Sequence, residues 1–592
     1  MKGRSLTLLA ALLALVASVQ LPASAGSASQ TAGPPVDYTQ VKGLSQPRYK
    51  TTTESFQVPM ADGVNLYVEV TRPKAPGRFG VILEASPYHG TLADRLGIRI
   101  LPGPVDKDGN HLGLAGYFAP RGYAVVMVDL RGTGRSQGCL DHLGPNDASD
   151  LKEIVEWAAK QKWSNGRVGM TGHSYVGSTP MVAAAQKPKG LATIVPSAGL
   201  ARMYDHKFQD GVPYLLQWAG PLIAYTTLST ARHFPPQLSP VWQQVPAVGS
   251  QAGDNFGNDM QYFGCGWLAN TGTTGDAYIR GYEHAWDTAR DWARGATKAN
   301  IPVFIVHGVN DNAARIAAAA WFNRRGGRPG DKAWIGQWDH GSGRYPNSRT
   351  CLQTATAACK NDQWTEALHA WFDKHLLALD VDTGPAVEAF LNNRQVFTSD
   401  EWPPTPSRQV AFYPAADGKL VSKPAEAGSA MFVATPQPHA NGQVVFETEP
   451  LKEDLFIVGV PKLTLKISQT SPLLHINATL YDVTGSETDA IGKANWAIQP
   501  ELRDGIDKPQ PVVPGQEMTM TLESMSQAHL IEAGHSLRFV VSSNNPDKVP
   551  VLAAGGVVTV YFGGKDGTAF LLPVIDNPTL YADVCRGLDP TL

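Results

Sequence analysis

Ser174 is the residue whose sequence context most clearly indicates catalytic chemistry. It lies in the segment GHSYVG, residues 172–177, between a strand-like run at residues 167–171 and a helix of small residues that extends to Gln186. A serine on a sharp strand-to-helix turn exposes its hydroxyl, and the start of the helix supplies backbone N–H donors. Val176 occupies the last glycine position of the general G-x-S-x-G pattern, and Gly177 follows it. The pattern favours Ser174 as a nucleophile.

A serine nucleophile requires a base and a residue that orients the base. Downstream of Ser174, a strand-like run at residues 301–306 leads to Asp311, and a second run at residues 332–336 leads to His340. The order Ser, Asp, His is that of α/β-hydrolases, in which the active site lies outside the carboxyl ends of the strands. We therefore expect Asp311 and His340 to lie on neighbouring loops at the same edge of a sheet.

Three other residues compete for these roles. His173 adjoins Ser174, but on that turn its ring is expected to pack rather than to take the serine proton. His307 falls at a strand end and is compatible with a structural histidine. Asp339 is the sequence neighbour of His340, and adjacent side chains rarely face each other well enough for the orienting hydrogen bond.

The intermediate of acyl transfer also needs hydrogen-bond donors for its oxygen. The backbone N–H of Tyr175 is one candidate. The loop SPYHG, residues 86–90, follows an early strand-like run and offers the hydroxyl of Tyr88 as a second. The alternative for Tyr88 is a turn residue that covers the core.

The elements that must position these residues alternate between strands and helices. A helix is predicted at residues 147–160, and strands are predicted at residues 65–71, 79–85, 123–129, 167–171, 191–196 and 301–306. Uninterrupted apolar strands separated by helices predict a doubly wound, mostly parallel sheet. The alternation stops at residues 197–300, which predicts an inserted cap. After about residue 385, short strand candidates recur without helices, which predicts an all-β sandwich or jelly roll.

Composition restricts the class of protein. The 592 residues are 43% hydrophobic, and 50 Lys and Arg residues are balanced by 53 Asp and Glu residues, for a formal net charge of -3. This length suits several domains, and the charge balance predicts no basic surface for nucleic acid. An enzyme and a large extracellular binding protein both remain compatible with the sequence. The sequence does not indicate an oligomeric state.

The N-terminus has the features of a secretory signal peptide. Lys2 and Arg4 precede an apolar stretch at residues 6–16, and an A-x-A cleavage site follows at residues 23–25. The stretch is shorter than the roughly 20 apolar residues that cross a bilayer. We therefore expect residues 1–25 to direct secretion, with no membrane anchor, and residues 26–49 to form a flexible leader.

Five cysteines are available for disulfides in an exported protein. Cys351 and Cys359 are near enough to pair around a short loop, and Cys139 could pair with Cys265, which would leave Cys585. Spacing does not determine the connectivity. No pair has the spacing of a zinc site, so we expect no structural metal.

Several of these segments together resemble one known superfamily. The SPY segment that ends at Tyr88, DLRGTGRS at residues 129–136, GHSYVG at residues 172–177 and the loops of Asp311 and His340 are similar to those of X-prolyl dipeptidyl-peptidases and cocaine esterase. Residues 190–196 and 203–205 resemble the X-Pro peptidase branch in particular. Residues 402–403 and 533–535 are similar to the C-terminal jelly-roll domain of the family.

The resemblance implies an α/β-hydrolase domain at residues 50–384, a helical cap at about residues 200–295 and a jelly-roll domain at residues 385–592. It implies Ser174 as nucleophile, His340 as base and Asp311 as its orienting acid. It also implies an oxyanion hole built from Tyr88 and the Tyr175 amide. No cofactor is needed for this chemistry.

The resulting hypothesis is a secreted serine exopeptidase that releases X-Pro dipeptides from peptide N-termini. Such an enzyme needs a carboxylate for the substrate's ammonium group, and Asp205, Asp210 and Glu283 are the candidates. The alternative is an esterase or acylase with the same machinery that acts on small esters. The segment NAA after Asp311 lacks the aromatic residue often found there in the peptidase branch, which keeps that alternative open. A third possibility is a non-catalytic binding protein.

Overall fold

The structure is a computed structural model of the chain. It describes residues 32–89, 112–138, 140–214, 285–311, 321–322, 324–325, 328–338, 340, 363–393, 395–435, 442–492, 496–545, 548, 555–564 and 566–582. All five cysteines lie outside these ranges, as do the predicted signal peptide and most of the predicted cap. Among the described residues, no helix is both long and apolar enough to cross a membrane.

A large mixed sheet is the centre of the first domain. Its strands and one short hairpin are β1 (Thr51–Pro59), β2 (Asn65–Pro73), β3 (Phe79–Ser86), β4 (Tyr123–Asp129), β5 (Ser164–His173), β6 (Leu191–Ser197), β7 (Phe208–Gln209), β8 (Val212–Pro213), β9 (Phe304–Gly308), β10 (Lys332–Gly336), β11 (Val387–Phe390) and β12 (Gln395–Ser399). In the described part of the chain the sheet has the order β1-β2-β4-β3-β5-β6-β9-β10-β11-β12, followed by the strand Leu580–Ala582. The strands from β4 through β11 are parallel to their neighbours in this order. The doubly wound α/β fold is therefore confirmed.

Helices cover both faces of this sheet. They are α1 (Gly113–Phe118), α2 (Pro145–Lys160), α3 (Tyr175–Gln186), α4 (Met203–Lys207), α5 (Ala285–Thr288), α6 (Ala293–Thr297) and α7 (Trp364–Leu376). Buried residues of α2, α3 and α6 share one hydrophobic core with the sheet, and those of α1 and α7 share a second core on the opposite face. Parallel strands need this double cover because both of their faces are apolar.

Helix α2 shows how the sequence specifies these elements. Pro145 stands in its first turn, where proline's missing N–H has no intrahelical partner to lose. Leu151, Ile154 and Val155 form its buried stripe, and Lys160 in the last turn complements the helix dipole. The prediction of a helix at residues 147–160 is confirmed, with its start two residues earlier.

The segment before β1 is anchored to the first domain over its described part. Tyr38 is buried, and its hydroxyl donates to the carbonyl of Thr383 at 2.8 Å. Ser45 donates through its backbone N–H to Asp373 on α7 at 2.6 Å. The expected flexible leader at residues 26–49 therefore differs from the structure from Ala32 onward, because tertiary contacts hold a segment whose composition resembles a linker.

The second domain is a β-sandwich. Its strands are β13 (Arg408–Pro414), β14 (Leu420–Val421), β15 (Gly428–Val433), β16 (Gln443–Glu447), β17 (Leu455–Gly459), β18 (Lys462–Gln469), β19 (Ile476–Thr484), β20 (Glu487–Ala490), β21 (Trp496–Ile498), β22 (Met518–Glu523), β23 (Gln527–Ile531), β24 (Ser536–Ser542), β25 (Val557–Phe562) and β26 (Ala569–Val574); Leu580–Ala582 is β27. Within the described residues these strands form a nine-stranded and a five-stranded sheet. Phe539 of one sheet and Phe570 of the other lie 5.1 Å apart between ring centroids, inside a shared apolar core. The all-β, jelly-roll class of the second domain is confirmed.

Two strands just beyond the expected domain boundary at residue 385 belong to the central sheet. Strands β11 and β12 lie beyond that position, yet they extend the central sheet, and β27 returns to pair with β12. The sequence showed no helix between these strands, so they had the same appearance as the strands of the β-domain. The sandwich begins after Ser399.

Candidate active site

Ser174 occupies a strained turn between β5 and α3. Its backbone has φ 63° and ψ -125°, a conformation that few residues other than glycine adopt and that is concentrated at functional sites. The N–H of Ser174 donates to the carbonyl of Ser197, at the end of β6, at 2.9 Å. This hydrogen bond ties the turn that carries the hydroxyl to the neighbouring strand.

Gly177 explains why the last glycine of the motif is displaced by one position. A Cβ atom at this position would overlap the carbonyl oxygen of Ser197 and would lie 2.9 Å from that of Gly172. Val176, in contrast, is fully buried without such a conflict. The close approach of α3 to the end of β6 therefore requires glycine at position 177 and accepts a larger side chain at position 176.

The structure brings together the three side chains selected from the sequence. His340 Nε2 lies 2.8 Å from Ser174 Oγ, and His340 Nδ1 lies 3.0 Å from Asp311 Oδ2 and 3.1 Å from Asp311 Oδ1. The Asp311 side chain is 1% exposed and that of His340 is 23% exposed. With Nδ1 protonated, the imidazole donates to the carboxylate and accepts from the serine hydroxyl. This arrangement permits proton transfer from serine to histidine while the carboxylate stabilises the imidazolium.

Neighbouring parallel strands place the acid and the base at one edge of the sheet. Gly308 of β9 and Gly336 of β10 are paired in register, and Asp311 and His340 follow on the two adjoining loops. Val309 donates to the carbonyl of Gly336 at 2.8 Å, which joins the loops. Trp338 packs over both glycines so closely that a Cβ atom on either would overlap it.

The two oxyanion-hole candidates lie on the elements beside Ser174. Tyr88 follows β3, the parallel neighbour of β5, and its N–H donates to Ser86 Oγ at 3.0 Å. Its ring is half-buried against the main core. Tyr175 is the first residue of α3, so its N–H is one of the first-turn donors that the hydrogen bonds within the helix do not use.

Two of the competing residues occupy structural positions. His173 Nε2 lies 3.0 Å from the carbonyl oxygen of His340, and its Nδ1 lies 3.0 Å from Ser197 Oγ. His307 is completely buried within β9. Asp339 lies outside the described residues.

The three candidates for binding a substrate ammonium group have different surroundings. Asp205 on α4 accepts from Arg202 at 3.0 Å, so its charge is partly neutralised. Asp210, between β7 and β8, lines a cavity of about 400 Å³ together with Asp205 and the arginines Arg202, Arg324 and Arg503. Burial within the surrounding protein and the nearby Asp205 raise the pKa of Asp210 to about 6. Glu283 lies outside the described residues.

A buried ionic cluster beside the site was not predicted from the sequence. Arg290 donates to Asp141 Oδ1 at 2.7 Å, and the Tyr175 hydroxyl donates to Asp147 Oδ2 at 3.2 Å. Burial, followed by the charges of Asp141 and Asp150, raises the pKa of Asp147 to about 8. Asp147 is only the first residue of the helix predicted at residues 147–160, and nothing in the sequence connects Asp141 with Arg290. Among the described residues, no cluster of histidines, cysteines and carboxylates is arranged to hold a metal ion.

Comparisons with known proteins identify the family to which the chain is similar. Residues 62–342 match the family described as "X-Pro dipeptidyl-peptidase (S15 family)", and residues 380–572 match "X-Pro dipeptidyl-peptidase C-terminal non-catalytic domain". A protein from Streptomyces avermitilis, whose Xaa-Pro dipeptidyl-peptidase name is provisional, is 26% identical over 81% of this chain and 77% of its own length. The cocaine esterase of Rhodococcus sp. is 23% identical over 84% of this chain and 91% of its own.

A solved structure shares the fold along almost the entire chain. An α-amino acid ester hydrolase aligns with a TM-score of 0.68 and 19% identity, covering 94% of this chain and all of its own. The family matches cover both domains, and the relatives include peptidases and an esterase. The chain is a serine hydrolase that belongs to the superfamily of X-Pro dipeptidyl-peptidases and cocaine esterase.

Proposed function

We propose that the protein is an Xaa-Pro dipeptidyl-peptidase, which releases X-Pro dipeptides from the N-termini of peptides. The observation that carries the catalytic part is the hydrogen-bonded chain from Ser174 Oγ through His340 to Asp311, with a serine–histidine distance of 2.8 Å. The peptide substrate is supported by the two family matches, which both carry the name of this activity.

The reaction would proceed through an acyl-enzyme. Ser174 Oγ attacks the carbonyl carbon of the proline, and His340 accepts the hydroxyl proton. The tetrahedral oxyanion accepts hydrogen bonds from the Tyr175 N–H and the Tyr88 hydroxyl. His340 then donates its proton to the departing amine as the C–N bond breaks. Water attacks the ester by the same route, and the dipeptide leaves with the restored Ser174 hydroxyl.

Recognition of the free N-terminus requires a negative charge that is not already neutralised. Asp205 is paired with Arg202, whereas Asp210 keeps a raised pKa of about 6 although Lys548 and Arg202 act to lower it, and it is ionised at neutral pH. A raised pKa means that the surroundings disfavour the negative charge, so a bound ammonium group would relieve that cost. We assign Asp210 as the group that receives the substrate's N-terminal ammonium.

An esterase or acylase is the second candidate. It is favoured by the similarity to cocaine esterase, which extends over 84% of the chain. The same nucleophile would attack an ester carbonyl, and the leaving alcohol would take the proton from His340. Such an enzyme would not depend on a carboxylate at Asp210.

Export is also part of the proposal. The basic start, the apolar stretch at residues 6–16 and the A-x-A segment at residues 23–25 support cleavage near Ala25 and secretion. N-terminal sequencing of the protein from culture medium would test this, and a chain that keeps Met1 and stays in the cells would contradict it.

Two chromogenic substrates separate the activities. Ala-Pro-4-nitroanilide tests the peptidase, and 4-nitrophenyl acetate tests general esterase activity. The peptidase proposal predicts turnover of the anilide and its loss in Ser174→Ala, with Ser149→Ala, an exposed serine on α2, as the matched control. Hydrolysis of the acetate alone would identify an esterase. Retention of activity in folded Ser174→Ala would contradict the nucleophile.

A further inference from the structure

Tyr175 has two ends with different surroundings. Its backbone N–H, at the start of α3, is the donor assigned above to the oxyanion. Its side chain is buried and reaches the loop at residues 140–144. Whatever fixes the side chain therefore also fixes the orientation of the peptide group next to Ser174.

The Tyr175 hydroxyl is held by two partners. It donates to Asp147 Oδ2 at 3.2 Å and accepts from the Leu143 N–H at 3.0 Å, and the same N–H lies 2.7 Å from Asp147 Oδ2. These three groups form a closed triangle of polar contacts. The triangle joins helix α2, helix α3 and the loop between β4 and α2.

That loop has a strained backbone. His142 has φ 49° and Leu143 has φ 62°, so two successive residues other than glycine occupy the left-handed region. Such a conformation persists only where the surroundings impose it. Here Arg290 donates to the carbonyl of Asp141 at 2.9 Å, and Trp292 Nε1 donates to the carbonyl of Leu143 at 2.7 Å.

We propose that Asp147 is a positioning residue that acts through the Tyr175 hydroxyl. It holds the Tyr175 N–H toward the substrate oxygen, and ionisation of Asp147 weakens the oxyanion hole. The proposal rests on the serine-hydrolase mechanism above. It assigns the pH dependence of catalysis partly to a carboxyl group that does not contact the substrate.

The charges around Asp147 come from every element packed against it. Asp141 on the loop and Asp150 on α2 disfavour its negative form, as burial does. Arg131 and the Leu143 N–H favour the negative form, and Arg290 also acts on this cluster, whereas burial keeps His142 neutral. Burial has the largest effect and raises the pKa of Asp147 to about 8.

Ionisation of Asp147 is expected to slow catalysis. Well below pH 8 Asp147 is neutral, so it adds no negative charge that would oppose the oxyanion. Above pH 8 a buried carboxylate lies at the far end of the Tyr175 side chain, where little water screens it. Formation of the oxyanion then becomes less favourable, so the rate falls as pH rises.

The test is a pH profile of kcat and KM for 4-nitrophenyl acetate between pH 6 and 10, with the uncatalysed rate subtracted. We expect the wild-type kcat to fall about tenfold above pH 8, an effect smaller than the loss of an entire oxyanion donor. Asp147→Asn cannot ionise and should keep a constant kcat over this range. Tyr175→Phe should lower kcat about tenfold at pH 7 with less than a twofold change in KM, because the mispositioned donor acts mainly on the transition state.

Tyr123→Phe is the matched control. It removes another buried hydroxyl–carboxylate bond, that of Tyr123 to Asp373 at 2.5 Å, on the α7 face of the sheet. We expect it to lower the melting temperature without changing the pH profile. Titration with a fluorophosphonate, which reacts with Ser174, measures the folded fraction of each variant.

Three outcomes would overturn the proposal: a wild-type kcat that stays constant above pH 8, an alkaline fall that persists in Asp147→Asn, or an unchanged kcat in Tyr175→Phe. If Asp147→Asn does not fold, the pH profile of the wild-type kcat and the kcat of Tyr175→Phe still test the proposal. Absence of Ala-Pro-4-nitroanilide cleavage would contradict the peptidase function but not this inference, since the ester reports on the same oxyanion.

Discussion

The ring of His173 connects the loop of the base to the strand beside the nucleophile. Its Nε2 lies 3.0 Å from the backbone carbonyl of His340, and its Nδ1 lies 3.0 Å from Ser197 Oγ. The two imidazoles are 4.9 Å apart between ring centroids. The residue before the nucleophile thus holds the residue that must accept the nucleophile's proton.

Replacing His173 should therefore impair catalysis without removing any reacting group. In His173→Ala the His340 carbonyl loses its donor, and the base loop can shift relative to Ser174. We expect kcat to fall by about 10- to 100-fold, since a displacement of about 1 Å has effects of this size. Steady-state kinetics with 4-nitrophenyl acetate would measure it.

A conservative variant distinguishes positioning from general destabilisation. The amide of His173→Gln can still donate to the His340 carbonyl, so it should recover part of kcat. His375→Ala, on α7 against Trp371, is the control for loss of a partly buried histidine. An unchanged kcat in His173→Ala would show that the loop of His340 keeps its position without this contact.

The sequence predicts the elements that carry the site because those elements depend on local patterns. The apolar run at residues 123–129 is β4 with the same bounds, and the positions of Ser174, Asp311 and His340 after their strands follow from the strand order. Such patterns report which face of an element is buried and where it ends.

Features that depend on contacts between distant segments could not be predicted in this way. Tyr38 is held by Thr383, and Lys332 is paired with Glu388 at 2.9 Å inside the first domain. Neither contact has a periodic signal, because each joins side chains that are far apart in the chain. That residues 385–399 extend the central sheet could not be predicted for the same reason, since pairing partners decide which sheet a strand joins.

The pKa of Asp210 predicts how substrate binding depends on pH. If its carboxylate receives the substrate ammonium, binding is lost as the carboxylate becomes protonated below its pKa of about 6. We expect KM for Ala-Pro-4-nitroanilide to rise about tenfold at one pH unit below this pKa. KM for 4-nitrophenyl acetate, which has no ammonium group, should not rise in this way.

Two variants test the origin of this dependence. Asp210→Asn should give a high KM for the anilide at every pH. Asp205→Asn should move the rise in KM to lower pH, because the charge of Asp205 is one of the causes that raise the pKa of Asp210. An unchanged anilide KM in Asp210→Asn would exclude this carboxylate as the ammonium site.

Asp482 connects two histidines where the two domains meet. It accepts from His535 Nδ1 at 2.8 Å and from His529 Nε2 at 3.2 Å. The backbone N–H of Leu530, next to His529, donates at 2.9 Å to Asn392, which lies between β11 and β12 of the first domain. Although burial opposes it, hydrogen bonding from both histidines lowers the pKa of Asp482 below its ordinary value.

A lowered carboxyl pKa stabilises the fold at pH values above the ordinary pKa of the group. This stabilisation is lost as pH falls through the lowered pKa, because the native carboxylate then becomes protonated as well.

Asp482→Asn should therefore reduce the free energy of unfolding by about 2 kcal/mol near neutral pH, the scale of a hydrogen bond to a charged group. The difference from wild type should shrink below about pH 4, where an unfolded Asp is protonated. Urea denaturation followed by far-UV circular dichroism would measure it, with the exposed Asp504→Asn as control. A difference that stays constant from pH 7 to pH 3 would mean that packing, rather than the charge of Asp482, stabilises this junction.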